Sequence, residues 1–222
     1  LVADRDDVPP LAESYLANAP ETLGGANVVT SVIVTYRGLD TLGEVTVLFA
    51  ASTGVALVFS RLGSSVGNGP KEGDSNDVPR SVQNYPPSEL VVTGAGLLLP
   101  LIVVFGIFIF VHGHLTPGGG FQGGVVIAGG VLLALLAGTL KELSHRLLSL
   151  LETLSGAGYV AVGFMGIWLA GGFLDPRFLP SGEIGSLFSA GAIPIIYILV
   201  GIKVGSELSG VIDAMRRRRV AE

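Results

Sequence analysis

His112-Gly113-His114-Leu115-Thr116-Pro117-Gly118-Gly119-Gly120-Phe121-Gln122-Gly123-Gly124 joins two long apolar runs without becoming polar enough for an ordinary exposed loop. Glycine reaches backbone conformations closed to other residues and lets neighbouring helices come close, while Pro117 fixes one torsion and removes an amide donor. Such a segment is costly unless its shape matters. It reads as a turn held inside or at the rim of a membrane protein, with Pro117, Gly118, Gly119, Gly120, Gly123 and Gly124 as its structural residues.

The composition agrees with that solvent. The 222 residues are 49% hydrophobic and only 14% charged, and 33 of them are glycine; the mean hydropathy is +0.65. These values exclude a water-soluble domain of this length. In apolar spans small residues allow the close helix packing that no hydrophobic effect would drive, so the glycines are first of all packing material. The absence of cysteine excludes disulfides, iron–sulfur ligation and a thiol nucleophile within the chain.

A bilayer-crossing helix needs roughly 20 apolar residues. Residues 90–111, 122–140, 155–174 and 186–210 meet that length, and 41–59 adds a fifth run that is apolar except for Glu44. The expected fold is therefore an all-α integral membrane protein with five transmembrane helices. Residues 26–36 are apolar and β-branched but too short to cross, which predicts a broken or partly re-entrant helix hinged near Arg37-Gly38. Pro100 and Pro194 each remove an intrahelical hydrogen bond and predict bends in their spans.

Basic residues stay on the cytoplasmic side of span ends. The run Arg216-Arg217-Arg218-Arg219 accordingly places the C-terminus inside, and five crossings leave the N-terminus outside. Residues 1–25, with Asp4, Asp6, Asp7, Glu13 and Glu21, read as an acidic, solvated extramembrane tail. The tail lacks the basic-then-apolar order of a signal peptide and opens on Leu1, so an absent true N-terminus is one expectation. Residues 61–88 are rich in Gly, Ser, Asn and Pro and form the expected flexible cytoplasmic linker. That linker separates a short membrane segment, 26–60, from a four-helix membrane domain, 89–222.

Ionisable residues inside spans cost at least a few kcal/mol each and are the natural places to look for chemistry. Arg37, Asp40 and Glu44 are spaced three and four apart and share one helical face. They read either as a proton or cation relay or, for Arg37 and Asp40, as an ion pair anchoring the helix end. Lys203 and Glu207 are four apart in the last run and either neutralise each other or face another span. His112 and His114 are two apart and point to different sides of a helix, so they suit proton exchange or capping of a helix end. A third metal ligand is missing beside them, and no Lys-Ser or Lys-Thr follows the glycines as a phosphate loop requires. No bound cofactor, metal or nucleic-acid partner is expected; the expected surroundings are the lipid bilayer and other membrane proteins.

The 112–124 turn with its Ala/Gly-rich following span, and Gly201-Ile202-Lys203-Val204-Gly205-Ser206-Glu207-Leu208-Ser209, resemble the B subunit of Mrp-type multisubunit sodium/proton antiporters. Upstream, Asn27-Val28-Val29-Thr30 through Arg37-Gly38-Leu39-Asp40-Thr41-Leu42-Gly43-Glu44 resembles the C-terminal membrane segment of the large A subunit, or its stand-alone relative in membrane-bound hydrogenase complexes. The resemblance implies an accessory, non-enzymatic subunit in a prokaryotic cell membrane, acting with other Mrp-type subunits on Na+ and H+. The residues it suggests for an ion path are Asp40, Glu44, His112, His114, Lys203 and Glu207. The alternative it leaves open is a purely structural spacer in a complex I-like or hydrogenase-type assembly.

Overall fold

The computed structural model describes residues 9–65, 87–140 and 142–221. The chain begins with α1 (Pro10–Leu23) and α2 (Val28–Ser31), which continues as one π-helical turn, Val32–Tyr36. There follow α3 (Gly38–Ser65), α4 (Glu89–Val111), α5 (Gly120–Leu136), α6 (His145–Ala170) and α7 (Ile193–Ala221). Four of these, α3, α4, α6 and α7, are long and apolar enough to span a membrane, and α5 is a shorter apolar helix of 17 residues. The all-α membrane fold expected from the sequence is the fold observed.

α7 is the axis of the molecule. It packs against α3, α5 and α6 and, more lightly, against α4, which lies mainly on α5. In α7 56% of the apolar window is buried, against 6% in α3 and 17% in α4 and α6. The outer helices therefore present Leu97, Leu101, Phe105, Phe164 and Trp168 outward, as helices facing lipid or another subunit do.

The break expected near Arg37-Gly38 is present. The Arg37 amide bonds the Val32 carbonyl at 2.8 Å, closing the π turn, and Arg37 leaves helical geometry at φ −119° and ψ 28°. The Thr41 hydroxyl donates to the Ile33 carbonyl at 2.9 Å, satisfying a backbone group that the altered ladder releases. Gly38 then sits against Leu174, where a Cβ would lie 2.7 Å from Leu174 Cδ1.

Several boundaries differ from the sequence reading. The tail expected over 1–25 is a helix from Pro10 onward, with Ala19 and Leu23 buried and Tyr15 stacked on Tyr36 at 4.8 Å. Its acidic residues Glu13 and Glu21 lie on the exposed face, so an acidic composition coexists with an apolar seam. α3 runs to Ser65, a turn into the expected linker, whose residues 66–86 lie outside those described, as does Lys141. α6 starts ten residues before the expected span because Ser144 caps it through the Leu147 amide. The expected span 186–210 begins only at Ile193, and Pro194 is its second residue, where a missing amide costs no helical bond. Pro194 thus starts a helix rather than bending one, and α4 remains helical through Pro100.

Candidate functional site

The 112–124 segment is built by close approach, but the turn expected over it ends at Gly119: Gly120, Gly123 and Gly124 belong to the first turns of α5. A Cβ at Gly120 would stand 2.7 Å from Val200 Cβ and 2.8 Å from the Tyr197 carbonyl oxygen. At Gly124 it would stand 2.8 Å from both the Gly201 carbonyl oxygen and Val204 Cβ, and at Gly123 2.6 Å from the Gly106 carbonyl oxygen. These glycines let α5 lie against α7 on one side and α4 on the other. At Gly118, φ is +156° and a Cβ would approach the Ile109 carbonyl oxygen to 3.2 Å, so glycine is needed there for conformation as well as space.

The turn is also where the two halves of the chain are joined. Asn27, before α2, donates its side-chain amide to the Gly113 and Thr116 carbonyls, both at 3.0 Å, and its backbone amide to the His114 carbonyl at 3.0 Å. The Thr30 hydroxyl adds a bond of 2.6 Å to the Gly113 carbonyl. Turn carbonyls that no helix satisfies are thereby paired with the short N-terminal segment. Asn27 and Thr30 open the stretch that resembles the A-subunit segment, but nothing in their residue types pointed to a contact with the turn.

His112 and His114 part company as their spacing predicts. His112 stacks on Phe108 at 4.2 Å, and its Nδ1 lies 3.1 Å from the Phe108 carbonyl, a contact at the end of α4. His114 is fully buried, with Nε2 3.4 Å from the Ser186 carbonyl and Nδ1 without a partner among the described residues. Desolvation holds its pKa below the ordinary imidazole value, and the nearby His112 pushes the same way.

Between the turn, α2 and α3 lies a cavity of about 620 Å³. Its wall includes Asn27, Thr30, Asp40, Glu44, Gln122 and Tyr197, so both halves of the chain contribute. Arg37 and Asp40 pair at 2.6 Å on its exposed rim, as the anchoring alternative predicts. Glu44, one turn on, makes no ion pair among the described residues. The structure thus brings Asp40 and Glu44 to one cavity. His112, His114, Lys203 and Glu207 do not line it.

Lys203 and Glu207 form a separate buried pair, Nζ to Oε1 at 2.6 Å. Glu152 on α6 stands 3.9 Å from the same nitrogen; it fell in an expected loop, and the spacing pattern gave no reason to join it to α7. Nearer the far end of α7, His145 lies 3.7 Å from the buried Asp213. Another unanticipated pair stabilises the segment after α6, where Arg177 bonds the Asp175 carboxylate and holds its pKa below the usual carboxylate range.

Residues 90–210 match a domain related to the MnhB subunit of the Na+/H+ antiporter, and residues 2–66 match the MbhE family of MBH. An uncharacterised protein of Methanocaldococcus jannaschii is 33% identical over 206 residues, 82% of this chain and 74% of its own. A chain in the structure of the membrane-bound sulfane sulfur reductase, an archaeal respiratory membrane complex, superposes with a TM-score of 0.78 at 44% identity. That match covers 97% of this chain and 88% of the other. A chain of the Mrp complex from Dietzia sp. DQ12-45-1b superposes with a TM-score of 0.72 at 26% identity, over 96% of this chain and 23% of its own length. By its family model and its relatives, the chain belongs to the family of domains related to the MnhB subunit of the Na+/H+ antiporter.

Proposed function

We propose that this chain is an accessory, non-enzymatic subunit of a multisubunit cation/proton antiporter-type membrane complex, and that its Glu44 cavity is a station for the exchanged ions. The cavity itself carries the proposal. It sets two carboxylates and the Arg37 guanidinium in a largely apolar wall, and that wall takes residues from both the MbhE-like segment and the MnhB-like domain. Asp40 is engaged by Arg37, whereas Glu44 is the acceptor left available for a proton or a monovalent cation. The neighbours in the Mrp and sulfane sulfur reductase complexes support other membrane subunits as partners. In this reading the arginine-rich end of α7 is cytoplasmic and the 112–124 turn faces outward.

The test is Glu44→Gln in vesicles holding the full complex, with cation-driven pH change as the readout. Exchange is expected to collapse while the complex still assembles. Normal assembly with unchanged exchange overturns the proposal. In that event the extensive outward apolar surface of α3, α4 and α6 favours a spacer that holds neighbouring subunits together.

A further inference from the structure

Three charged side chains meet around the Lys203 ammonium, away from the Glu44 cavity. Its Nζ lies 2.6 Å from Glu207 Oε1 and 3.9 Å from Glu152 Oε1, with the Phe49 ring centroid 5.2 Å away. The Glu207 side chain is fully buried, and its Oε2 has no partner among the described residues. Glu152 keeps 28% of its side chain exposed. It lines, with Lys203, Thr46, Phe49 and Tyr159, a cavity of about 280 Å³ between α3, α6 and α7.

The charges do not balance. Two carboxylates face one ammonium, which leaves an excess negative charge where desolvation makes it costly. Among the described residues that line this cavity Lys203 is the one cation; His145 and Arg146 of α6 line a neighbouring cavity that shares Thr153 with it. α3 presents Thr46 and Phe49 to this cavity, α6 adds only Tyr159 as a further titratable group, and α5 carries no titratable residue. α4 has only Glu89, at its first turn. Of the two carboxylates, Glu152 is the one that lines the cavity and keeps part of its side chain exposed, while Glu207 is sealed.

Room for movement exists beside the lysine head. Gly156 follows Glu152 by one helical turn on the face toward α7. A Cβ there would lie 3.5 Å from Lys203 Cε and 3.8 Å from Nζ. The missing side chain keeps that space open.

We propose that Glu152, Lys203 and Glu207 form a second proton-exchange site, in which Glu152 takes up and releases a proton while the Lys203 ammonium shifts between the two carboxylates. This rests on the ion-exchange reading given above. On uptake, a proton from cavity water bonds to a Glu152 carboxylate oxygen and the ammonium turns wholly to Glu207. On release that O–H bond breaks, the proton returns to water, and the ammonium is again shared. Lys203 stays protonated throughout, and nothing is oxidised or reduced.

The experiment uses the full complex, in vesicles for exchange and in purified form for pH-difference infrared spectroscopy. Glu152→Gln is expected to slow exchange about tenfold or more and to remove one titrating carboxylic-acid band; Glu152→Asp keeps the band and part of the exchange. Gly156→Val retains all three charges but fills the space beside Lys203, and is expected to slow exchange while the band persists. An assembled Glu152→Gln complex with unchanged exchange and spectrum overturns the proposal. If that variant fails to assemble, unchanged exchange in both Glu152→Asp and Gly156→Val overturns it instead. Loss of exchange in Glu44→Gln but not in Glu152→Gln removes this site and leaves the first; the converse supports this site and removes the first.

Discussion

Valine placed at Gly124 and at Gly129 separates packing from every other property of glycine. Both positions lie in α5, five residues apart, in the same apolar helix. At Gly124 the new Cβ would meet the Gly201 carbonyl oxygen and Val204 Cβ at 2.8 Å and the Gly205 amide nitrogen at 2.9 Å, whereas at Gly129 nothing lies within 4 Å. Two of the three atoms at Gly124 are α7 backbone, so relief requires the helices to separate rather than a side chain to rotate. Overpacking of this kind costs about 1–3 kcal/mol, and unyielding backbone contacts put Gly124→Val at about 3 kcal/mol. At Gly129, valine and glycine differ by only about 0.3 kcal/mol in helix propensity. With about 2–4 °C of midpoint per kcal/mol for a chain of this size, Gly124→Val should melt about 6–12 °C lower than Gly129→Val. Scanning fluorimetry of the purified complex measures that gap. Equal midpoints would refute the close-packing account of the α5–α7 seam.

Two further outcomes follow from the joint between the halves. Asn27→Ala removes both side-chain donors to the Gly113 and Thr116 carbonyls and should cost about 1–3 kcal/mol, read as faster hydrogen exchange of the 112–120 amides. Rates equal to those of the parent would show that the tether carries no stability. His114 is held below its ordinary pKa of 6.5, so the unfolded chain binds a proton that the folded chain refuses. Stability should therefore be independent of His114 above that value and fall as pH drops below it. His114→Gln should flatten this acid limb in pH-dependent melting, and an unchanged limb would assign it to another group.

The fold was legible because the bilayer makes length and hydropathy nearly sufficient: the long helices α3, α4, α6 and α7, and the break at Arg37, all appear where apolar runs and a hinge are expected. Helix ends were less legible. His145 to Leu154 carries enough charge to resemble a loop, yet the Ser144 cap and the contacts of α6 with α7 hold it helical. Pairs at helical spacing, such as Arg37 with Asp40 and Lys203 with Glu207, were readable because one helix fixes both partners. Glu152 with Lys203, His145 with Asp213, and Asn27 with the glycine turn were not, since each depends on which faces of distant helices meet. Buried His114 shows the same limit: its residue type was noted, but its burial follows from Ser186 and Leu187 folding over the turn.

The two cavities share one wall, α3. Asp40, Thr41 and Glu44 of α3 face the first, while Leu42, Val45, Thr46 and Phe49 of the same helix face the second. Those sets occupy neighbouring strips of a helix that turns about 100° per residue. α3 is the least buried of the long helices, and it starts immediately after the non-helical Arg37. The start of this shared helix is held in place: the Tyr159 hydroxyl donates to the Gly38 carbonyl at 3.0 Å and Gly38 abuts Leu174, so these contacts fix the position of both strips at once.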